Sequence, residues 1–342
     1  MDRRFDLVVV GTGVTSVGDD RLIGRRVLIA AGAMPAPLKF PGADRLATSE
    51  DFLNLDRIPG RIVFIGGGYI SFEFAHVAAR AGAQVTILHR GARPLEGFDP
   101  DLVDLLVRRT RELGIRVELD TEVLGVDTGV SGLIVRGRQR GTERGFEADI
   151  AIHGAGRVPE LDDLDLDTAG VKREKRGVIV NQYLQSVSNP AVYAGGDAAA
   201  SGPPLTPKAD QDADVLTANL LEGNHRAVNY DGIGSAVYTV PPLASAGLTE
   251  NAARAAGLKF HSRWQDTARW YNTRRVGETA SGFKVLIEES TGRILGAHLL
   301  GPNAAEVINL FAVAIRLRIP ADELKQVIFA YPTYGSDIRF MM

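Results

Sequence analysis

A glycine-rich turn with the spacing of a dinucleotide-binding site runs from Ile65 to Glu73, as Ile65-Gly66-Gly67-Gly68-Tyr69-Ile70-Ser71-Phe72-Glu73. In such turns the first glycine permits a tight bend, the second lets the backbone approach a pyrophosphate, and a third small residue packs the helix on the sheet. The N–H groups and dipole at the start of the helix attract phosphate. We therefore predict cofactor binding at Gly66, Gly68 and Ser71. An ordinary strand–helix turn of an α/β sheet is the alternative.

The end of the next strand predicts which nicotinamide cofactor binds. An NAD site usually places Asp or Glu there, about 20 residues after the glycines, to bind the ribose 2′-hydroxyl. This chain instead has His89 and Arg90, with Arg93 nearby. A guanidinium suits a 2′-phosphate, so the sequence favours NADP over NAD and predicts that Arg90 binds the cofactor. Otherwise Arg90 is a solvated surface charge.

The N-terminus carries only the opening of a second fingerprint, Val8-Val9-Val10-Gly11-Thr12-Gly13. A phosphate-binding turn is followed by a helix of about three turns, but residues 14–20 combine β-branched residues with a turn and form a poor helix. A βαβ unit needs about 30 residues or more, and a further strand is already predicted from Arg26. Gly11 and Gly13 are therefore either cofactor-binding residues or the turn of a hairpin.

Composition excludes several classes of site. The chain has 342 residues, a net charge of −3 and no cysteine. The small negative charge gives no case for nucleic acid or a membrane surface, and no apolar run reaches the roughly 20 residues that span a bilayer. The absence of cysteine removes structural disulfides, thiolate metal sites and a dithiol redox centre from this chain. We expect no metal site and a cytoplasmic location.

Hydrophobic patterning predicts the elements that position these motifs. Strands at Arg61–Ile65 and Ala83–Leu88 alternate with helices at Tyr69–Ala81 and Asp99–Leu113, which is a βαβ unit. Further strands are expected at 116–119, 121–126, 132–137, 145–152 and 191–194, and helices at 210–221, 249–256, 304–316 and 321–329. From about Val237 the pattern changes to an α+β region.

Five ordered segments resemble the pyridine nucleotide-disulfide oxidoreductases, the two-dinucleotide flavoprotein family of glutathione reductase, dihydrolipoamide dehydrogenase and mercuric reductase. They are Ala30–Ala33, Gly66–Glu73, Gly156–Pro159, Tyr193–Asp197 with Pro203–Pro207, and Pro241–Glu250. The resemblance runs through nearly the whole chain. It implies an α/β fold, a Rossmann-like two-dinucleotide-binding core whose FAD half is incomplete, plus a C-terminal α+β dimerisation domain.

The resemblance also implies a division into four segments. Residues 1–55 are a remnant of the FAD-binding domain, 56–155 the NAD(P)-binding domain, 156–232 the second part of the FAD-binding domain, and 233–342 the dimerisation domain. The implied cofactors are FAD and NADP or NAD, and the implied partner is a second copy bound through the C-terminal domain.

The resemblance assigns roles to individual residues. Asp197 would bind the flavin ribityl chain, with Gly196 allowing close approach and Gly32 contributing to the same cofactor site. Arg157 would lie near the flavin ring or the nicotinamide, and Tyr69 and Glu73 beside the nicotinamide. Alternatives from elementary chemistry are a helix N-cap for Asp197, a first-turn carboxylate facing the helix dipole for Glu73, and a surface charge for Arg157.

Three departures from the family pattern limit the predicted function. The redox-active CxxxxC helix and the adenylate half of the flavin site are missing after Gly13. The C-terminal His-Pro-Thr of the family is Tyr331-Pro332-Thr333 here, and a tyrosine, with an unperturbed pKa near 10, is a poor proton relay at neutral pH. The chain also has no cysteine.

The predicted function is an NAD(P)H-dependent flavoprotein oxidoreductase that passes a hydride to FAD and electrons to a small-molecule acceptor. Its candidate catalytic residues are Tyr331, acting across the dimer interface or serving only in packing, and Glu73. The alternative is a flavin-free NAD(P)-binding paralogue or an inactive truncated product.

Overall fold

The computed structural model describes residues 3–11 and 22–342, so the predictions for Gly13 and residues 14–20 lie outside the described residues. The chain separates into two compact units. The first unit comprises Met1–Ala36 and Arg157–Tyr230, and the second comprises Pro37–Gly156 and Asp231–Met342. The proposed four-segment division by domain remains a prediction.

The bounds of the regular elements follow in chain order. The strands are β1 Arg3–Gly11, β2 Leu22–Ala30, β3 Ala33–Pro35, β4 Arg61–Ile65, β5 Gln84–Leu88, β6 Arg116–Glu118, β7 Thr121–Gly129, β8 Gly132–Gln139, β9 Thr142–Ala148, β10 Ile150–His153, β11 Arg157–Pro159, β12 Arg173–Glu174, β13 Gly177–Val178, β14 Val192–Ala194, β15 Gly234–Val237, β16 Leu243–Gly247, β17 Phe260–Asp266, β18 Gly282–Glu288 and β19 Ile294–Leu300. The helices are α1 Ser49–Leu53, α2 Tyr69–Arg80, α3 Pro100–Glu112, α4 Thr206–Glu222, α5 Glu250–Ala255, α6 Tyr271–Arg275, α7 Ala304–Arg316 and α8 Ala321–Gln326. No helix within the described ranges is both long enough and apolar enough to cross a membrane.

A three-stranded parallel sheet, in the order β1-β2-β14, organises the first unit. The last residues of β1 and β2, Gly11 and Ala30, face each other in register. This corrects the hairpin alternative for Gly11, because a hairpin joins antiparallel strands. The apolar run of β1 makes a parallel strand at one edge of this sheet, and Leu7 and Val9 remain exposed.

The two faces of this sheet are buried by different parts of the first unit. On one face Ile29 and Ala194 pack with Val178 and Ala198. The other face contributes Tyr193, which packs with a group that includes two residues of α4, Val215 and Leu216. The residues that follow the carboxyl ends of β2 and β14 are therefore held on a packed core.

A parallel sheet in the order β10-β4-β5-β6 forms the nucleotide-binding part of the second unit. In β4 the four residues 62–65 are all buried, as expected for a strand covered on both faces. Helix α3 begins as predicted, with the Asp99 side chain accepting the N–H of Asp101 and Pro100 at the first helical position.

The run predicted as one strand at Gly145–Ile152 is two strands, β9 and β10, which belong to different sheets. They divide at Asp149, whose carboxylate accepts the backbone N–H of Arg61 at 2.8 Å. After Asp149 the pattern is the continuous apolar run of a parallel strand, whereas β9 joins the antiparallel meander β7-β8-β9.

The C-terminal part of the second unit is an antiparallel sheet, β15-β16-β19-β18-β17, with α7 packed on it. Helix α7 has the predicted bounds. Helix α8 ends at Gln326 rather than Phe329, because Val327 adopts an extended conformation and β-branched residues have low helix propensity. The strands β15 and β16 were not predicted, since their short runs of Gly, Ala and Ser carry no apolar alternation.

Candidate functional site

The strand–turn–helix from β4 to α2 has the geometry that a dinucleotide site requires. Gly66 has φ of 112°, and a Cβ at that position would overlap the carbonyl of Gly154 and lie 2.6 Å from Ala155 Cα. Only glycine fits both the left-handed conformation and this close backbone crossing. Gly66 is therefore required by the protein's own packing, whatever it contributes to a ligand.

Gly68 leaves the start of α2 without a side-chain cap. It is the N-cap residue, in an extended conformation, and makes no capping hydrogen bond. The first turn of the helix also has no acidic residue. A Cβ at Gly68 would meet only ordinary contact, 3.5 Å from Gly154 O, so the fold itself does not need glycine here. An uncapped helix start of this kind suits a phosphate group.

Ser71 packs α2 against the residue that follows β10. Its side chain is fully buried, and a Cβ on Gly154 would overlap its Oγ. The Ser71 Oγ has no hydrogen-bond partner, although buried hydroxyls usually have one. The small side chain thus allows the close approach of helix and sheet that the third glycine of the fingerprint provides elsewhere.

Glu73 lies further along α2 and is bound to the C-terminal part of the same unit. Its Oε1 accepts the backbone N–H of Tyr238 at 2.9 Å. Burial raises the pKa of the Glu73 carboxyl, and the hydrogen bond from Tyr238 opposes that rise. The first turn of α2 holds no acidic residue, so the alternative of a first-turn carboxylate is wrong. Tyr69, the first residue of the helix, is 45% exposed.

His76, one turn beyond Glu73, is a buried residue that sequence reasoning missed. Its Nδ1 accepts the N–H of Val240 at 3.1 Å. Its Nε2 therefore carries the hydrogen and donates to Thr110 Oγ1 at 3.0 Å. The Thr110 hydroxyl in turn donates to Leu106 O. Burial, with Arg109 and Arg80 nearby, lowers the pKa of His76 to about 4.

The carboxyl end of β5 carries the residues predicted to select the cofactor. The Arg90 side chain is exposed, and Arg93 Nε lies 3.5 Å from Asp104 Oδ1. No carboxylate stands at this strand end, where His89 and Arg90 follow Leu88. The second unit thus brings Gly66, Gly68, Ser71 and Arg90 to the carboxyl edge of one parallel sheet, where nucleotides bind in such folds.

The first unit gathers the residues assigned to the flavin at the carboxyl edge of its own sheet. Gly11 ends β1, Gly32 follows β2 with φ of 73°, and Gly196 follows β14 with φ of 60°. Asp197 is half-buried in a short 3-10 turn, Gly196–Ala198. Its carboxylate has no hydrogen-bond or ion-pair partner among the described residues, so it does not cap α4, which begins at Thr206 with Leu205 before it.

A buried ion pair fixes the turn that holds Asp197. Lys208 and Asp212, one turn apart on α4, lie 2.7 Å from each other at Nζ and Oδ2. Lys208 Nζ donates to Gly196 O at 2.8 Å, and Asp212 Oδ2 accepts the Gly196 N–H at 2.9 Å. Both polar groups of the Gly196 backbone are therefore held from one helix.

Tyr230 completes this network by donating its hydroxyl to Asp212 Oδ1 at 2.6 Å. Burial raises the pKa of Tyr230, and the neighbouring Asp212 adds to the rise. Sequence reasoning missed all three residues of the network. The available signal was a Lys–Asp pair at i,i+4 beside the glycine motif, but such pairs usually lie on solvated helix faces.

Two of the other predicted residues are exposed. Arg157, in β11, donates from its guanidinium to the backbone carbonyl of Ala33 in β3. Tyr331 is 78% exposed on the second unit. Asp337, near Tyr331 in sequence, accepts a hydrogen bond from Asn272 Nδ2 at 3.0 Å, and burial raises its pKa.

No group of His, Asp and Glu in the described ranges could hold a metal ion.

Two family models match the chain. The model described as pyridine nucleotide-disulphide oxidoreductase covers residues 8–213. The model described as the dimerisation domain of pyridine nucleotide-disulphide oxidoreductase covers residues 233–341.

Known proteins are similar to this chain over about half of its length in one case and over most of its length in others. An uncharacterised 19.7 kDa protein in the mercuric resistance operon of Staphylococcus aureus is 49% identical over 180 residues, which are 52% of this chain and 100% of that protein. Leghemoglobin reductase of Glycine max is 31% identical over 330 residues, 95% of this chain and 63% of that protein. The solved structure of the HOCl-induced flavoprotein disulfide reductase of Escherichia coli has a TM-score of 0.81 and 26% identity, covering 93% of this chain and 73% of that one.

Proposed function

Because the chain belongs to the pyridine nucleotide-disulphide oxidoreductase family, we propose that it is an NAD(P)H-dependent flavoprotein oxidoreductase. The chain spans 63% of the length of the leghemoglobin reductase that it matches. When bound, NADPH and FAD supply hydride transfer and electron storage. The residues of this chain bind these groups, orient them and exclude water.

The uncapped start of α2 is the observation that best supports the nicotinamide nucleotide site. Gly66 and Gly68 shape the turn, and the first N–H groups of the helix receive the pyrophosphate. Arg90, exposed at the neighbouring strand end, binds the 2′-phosphate of NADP(H). Tyr69 lies beside the nicotinamide and limits access to it, and Glu73, held by the Tyr238 N–H, fixes the nicotinamide ring.

The residues of the first unit fit a flavin at the sheet edge. The Asp197 carboxylate has no partner among the described residues and accepts hydrogen bonds from hydroxyl groups of the ribityl chain. The glycines at the strand ends, Gly11, Gly32 and Gly196, leave room for the cofactor. Arg157 contributes charge near the flavin ring or the nicotinamide. The Lys208–Asp212 pair keeps the Gly196 turn in the conformation that presents Asp197.

A second copy of the chain binds through the C-terminal sheet and α7, which the dimerisation-domain match supports. The exposed apolar residues Leu310, Val313 and Leu317 on and after α7 supply part of that surface. Tyr331, exposed on the same unit, faces the partner's cofactors in this dimer. The electron acceptor is a small molecule, and it is not reduced through a dithiol of this chain, which has no cysteine.

Two measurements on the purified protein test the proposal. Calorimetric titration with NADP⁺ and NAD⁺ should show binding of NADP⁺, and heating should release FAD in amounts close to one per chain. Asp197→Asn should reduce the released FAD, whereas Asp210→Asn, which removes the charge of an exposed carboxylate on α4, should not. Failure of both nucleotides to bind would reject the nicotinamide site.

A flavin-free NAD(P)-binding protein is the second candidate. It is favoured by the chain length between β1 and β2, because only residues 12–21 separate them and a βαβ unit with its phosphate-binding helix needs about 30 residues. A colourless protein that binds NADP⁺ would support this second candidate and reject the flavoenzyme.

A further inference from the structure

The loop that carries Arg90 is folded around a single imidazole ring. His89 Nε2 donates to the carbonyl of Arg93, four residues further on, at 2.8 Å. Gly91 approaches the same ring so closely that a Cβ there would lie 2.9 Å from Nε2. The loop therefore closes on one side of His89.

The phosphate-binding turn lies on the other side of the same ring. A Cβ on Gly67 would lie 2.6 Å from His89 Nδ1, 2.7 Å from Cγ, and 2.8 Å from Pro94 Cβ. Real Cβ atoms do not approach other atoms this closely. Glycine is therefore the only residue type at position 67 that leaves room for the His89 ring. Gly67 is the middle glycine of the turn, and the dinucleotide fingerprint places no demand on that position.

A backbone hydrogen bond keeps the two sides together. The N–H of Leu95 donates to Gly67 O at 2.9 Å, and Leu95 is buried. His89 itself is held at both backbone groups, its N–H donating to Glu118 O and its O accepting from Thr121 N. The ring is thus a fixed spacer between the turn that would hold the pyrophosphate and the loop that bears Arg90.

We propose that Gly67 and His89 act together as positioning residues for cofactor choice: the imidazole, seated against Gly67, sets the distance between the pyrophosphate and the Arg90 guanidinium. This inference rests on the proposed nicotinamide site and extends it. A side chain at 67, or loss of the ring at 89, moves the Arg90 loop relative to the turn. The 2′-phosphate contact is then lost, while the pyrophosphate contact, common to NADP and NAD, is kept.

Calorimetric titration of NADP⁺ and NAD⁺ into the wild type, Gly67→Ala and His89→Ala tests this. Both nucleotides are oxidised, so a bound flavin is not reduced during the titration. The ratio of the two dissociation constants is the readout, since a general loss of structure would weaken both nucleotides together. We expect each variant to lower the preference for NADP⁺ by about tenfold, the factor that corresponds to about 1.4 kcal/mol.

Two further variants serve as controls. Gly97→Ala changes a glycine that follows the same loop and has nothing within 4 Å of its Cβ position, so it should leave the ratio unchanged. In a His89→Ala background the imidazole no longer blocks a Cβ at position 67, whereas Pro94 Cβ, 2.8 Å away, still does. Adding Gly67→Ala should therefore change the ratio less than it does alone, a coupling typical of contacting residues. If Gly67→Ala fails to fold, His89→Ala, which shortens a half-buried side chain, carries the test.

The outcomes separate the inference from the function beneath it. A wild type that binds neither nucleotide rejects the proposed site and the inference with it. A wild type that prefers NADP⁺, with variants that weaken both nucleotides equally, overturns the positioning role and leaves the proposed function standing. The positioning role would also be overturned if Gly97→Ala changed the ratio of the two dissociation constants as much as Gly67→Ala does.

Discussion

Acidification should destabilise the second unit in part through the buried residue His76. This side chain is 2% exposed and neutral, because its Nδ1 accepts the N–H of Val240 and its Nε2 donates to Thr110. Protonation of Nδ1 would place a proton against that N–H and a charge near Arg109 and Arg80. Burial is the largest cause of its lowered pKa, about 4.

The sign and size of the effect follow from proton linkage. An unfolded chain binds a proton at His76 below pH about 6.5, whereas the folded chain binds it only below about 4. Between these values the unfolded state holds more protons, so stability falls as the pH falls. A pKa lowered from 6.5 to about 4 corresponds to about 3 kcal/mol in full, of which about 2 kcal/mol is lost between pH 7 and pH 5.

Urea unfolding of the wild type and His76→Gln at pH 7, 6 and 5 measures this contribution. Both tryptophans, Trp264 and Trp270, lie in the second unit, so their fluorescence follows the unit that contains His76. Other titrating groups, including Glu73 and Asp337, are common to both proteins and cancel in the difference. The wild type should lose about 2 kcal/mol more than the variant between pH 7 and pH 5. Equal losses would refute the assigned hydrogen-bonding state of His76.

Substitutions at Lys208, Glu73 and Lys284 test other contacts. Lys208→Met should destabilise the first unit by about 3–5 kcal/mol, since Asp212 is left as a buried charge without its cation. Faster amide hydrogen exchange in α4 should show this loss. The double variant Lys208→Met/Asp212→Leu should recover much of the lost stability. Glu73→Ala should cost about 1 kcal/mol in urea unfolding because the Tyr238 N–H loses its acceptor, whereas Glu73→Gln keeps an acceptor oxygen and should be close to neutral. Lys284→Met should destabilise the second unit by about 3–5 kcal/mol, because Asp99, fully buried, lies 2.9 Å from Lys284 Nζ; a loss below 1 kcal/mol would show that this pair is not required.

The fold could be predicted best where a local rule decides the structure. The apolar run of β4, the glycine turn, and the Asp99-Pro100 start of α3 are each specified by neighbouring residues, and the structure has them where they were expected. The division of Gly145–Ile152 into two strands could not be predicted, because Asp149 separates them through a bond to Arg61, 88 residues away.

The missed site residues share a physical cause. Lys208 and Asp212 look like a solvated helix pair in sequence, and only the packing of α4 under the Gly196 turn buries them. His76 lies on a helix whose pattern predicts an apolar face, and its partners come from α3 and from the segment before β16. The sequence left a hairpin open as the alternative at Gly11, since so short a connection is typical of a hairpin, whereas β1 and β2 pair in parallel.

The most direct test of the flavoprotein assignment is a visible absorption spectrum of the purified protein, recorded without oxygen before and after NADPH is added. A bound flavin gives a visible absorption band. We expect NADPH to bleach this band, because the proposed reaction transfers a hydride from NADPH to the flavin. A colourless protein, or a flavin band that NADPH leaves unchanged while NADP⁺ still binds, would contradict hydride transfer between the two sites.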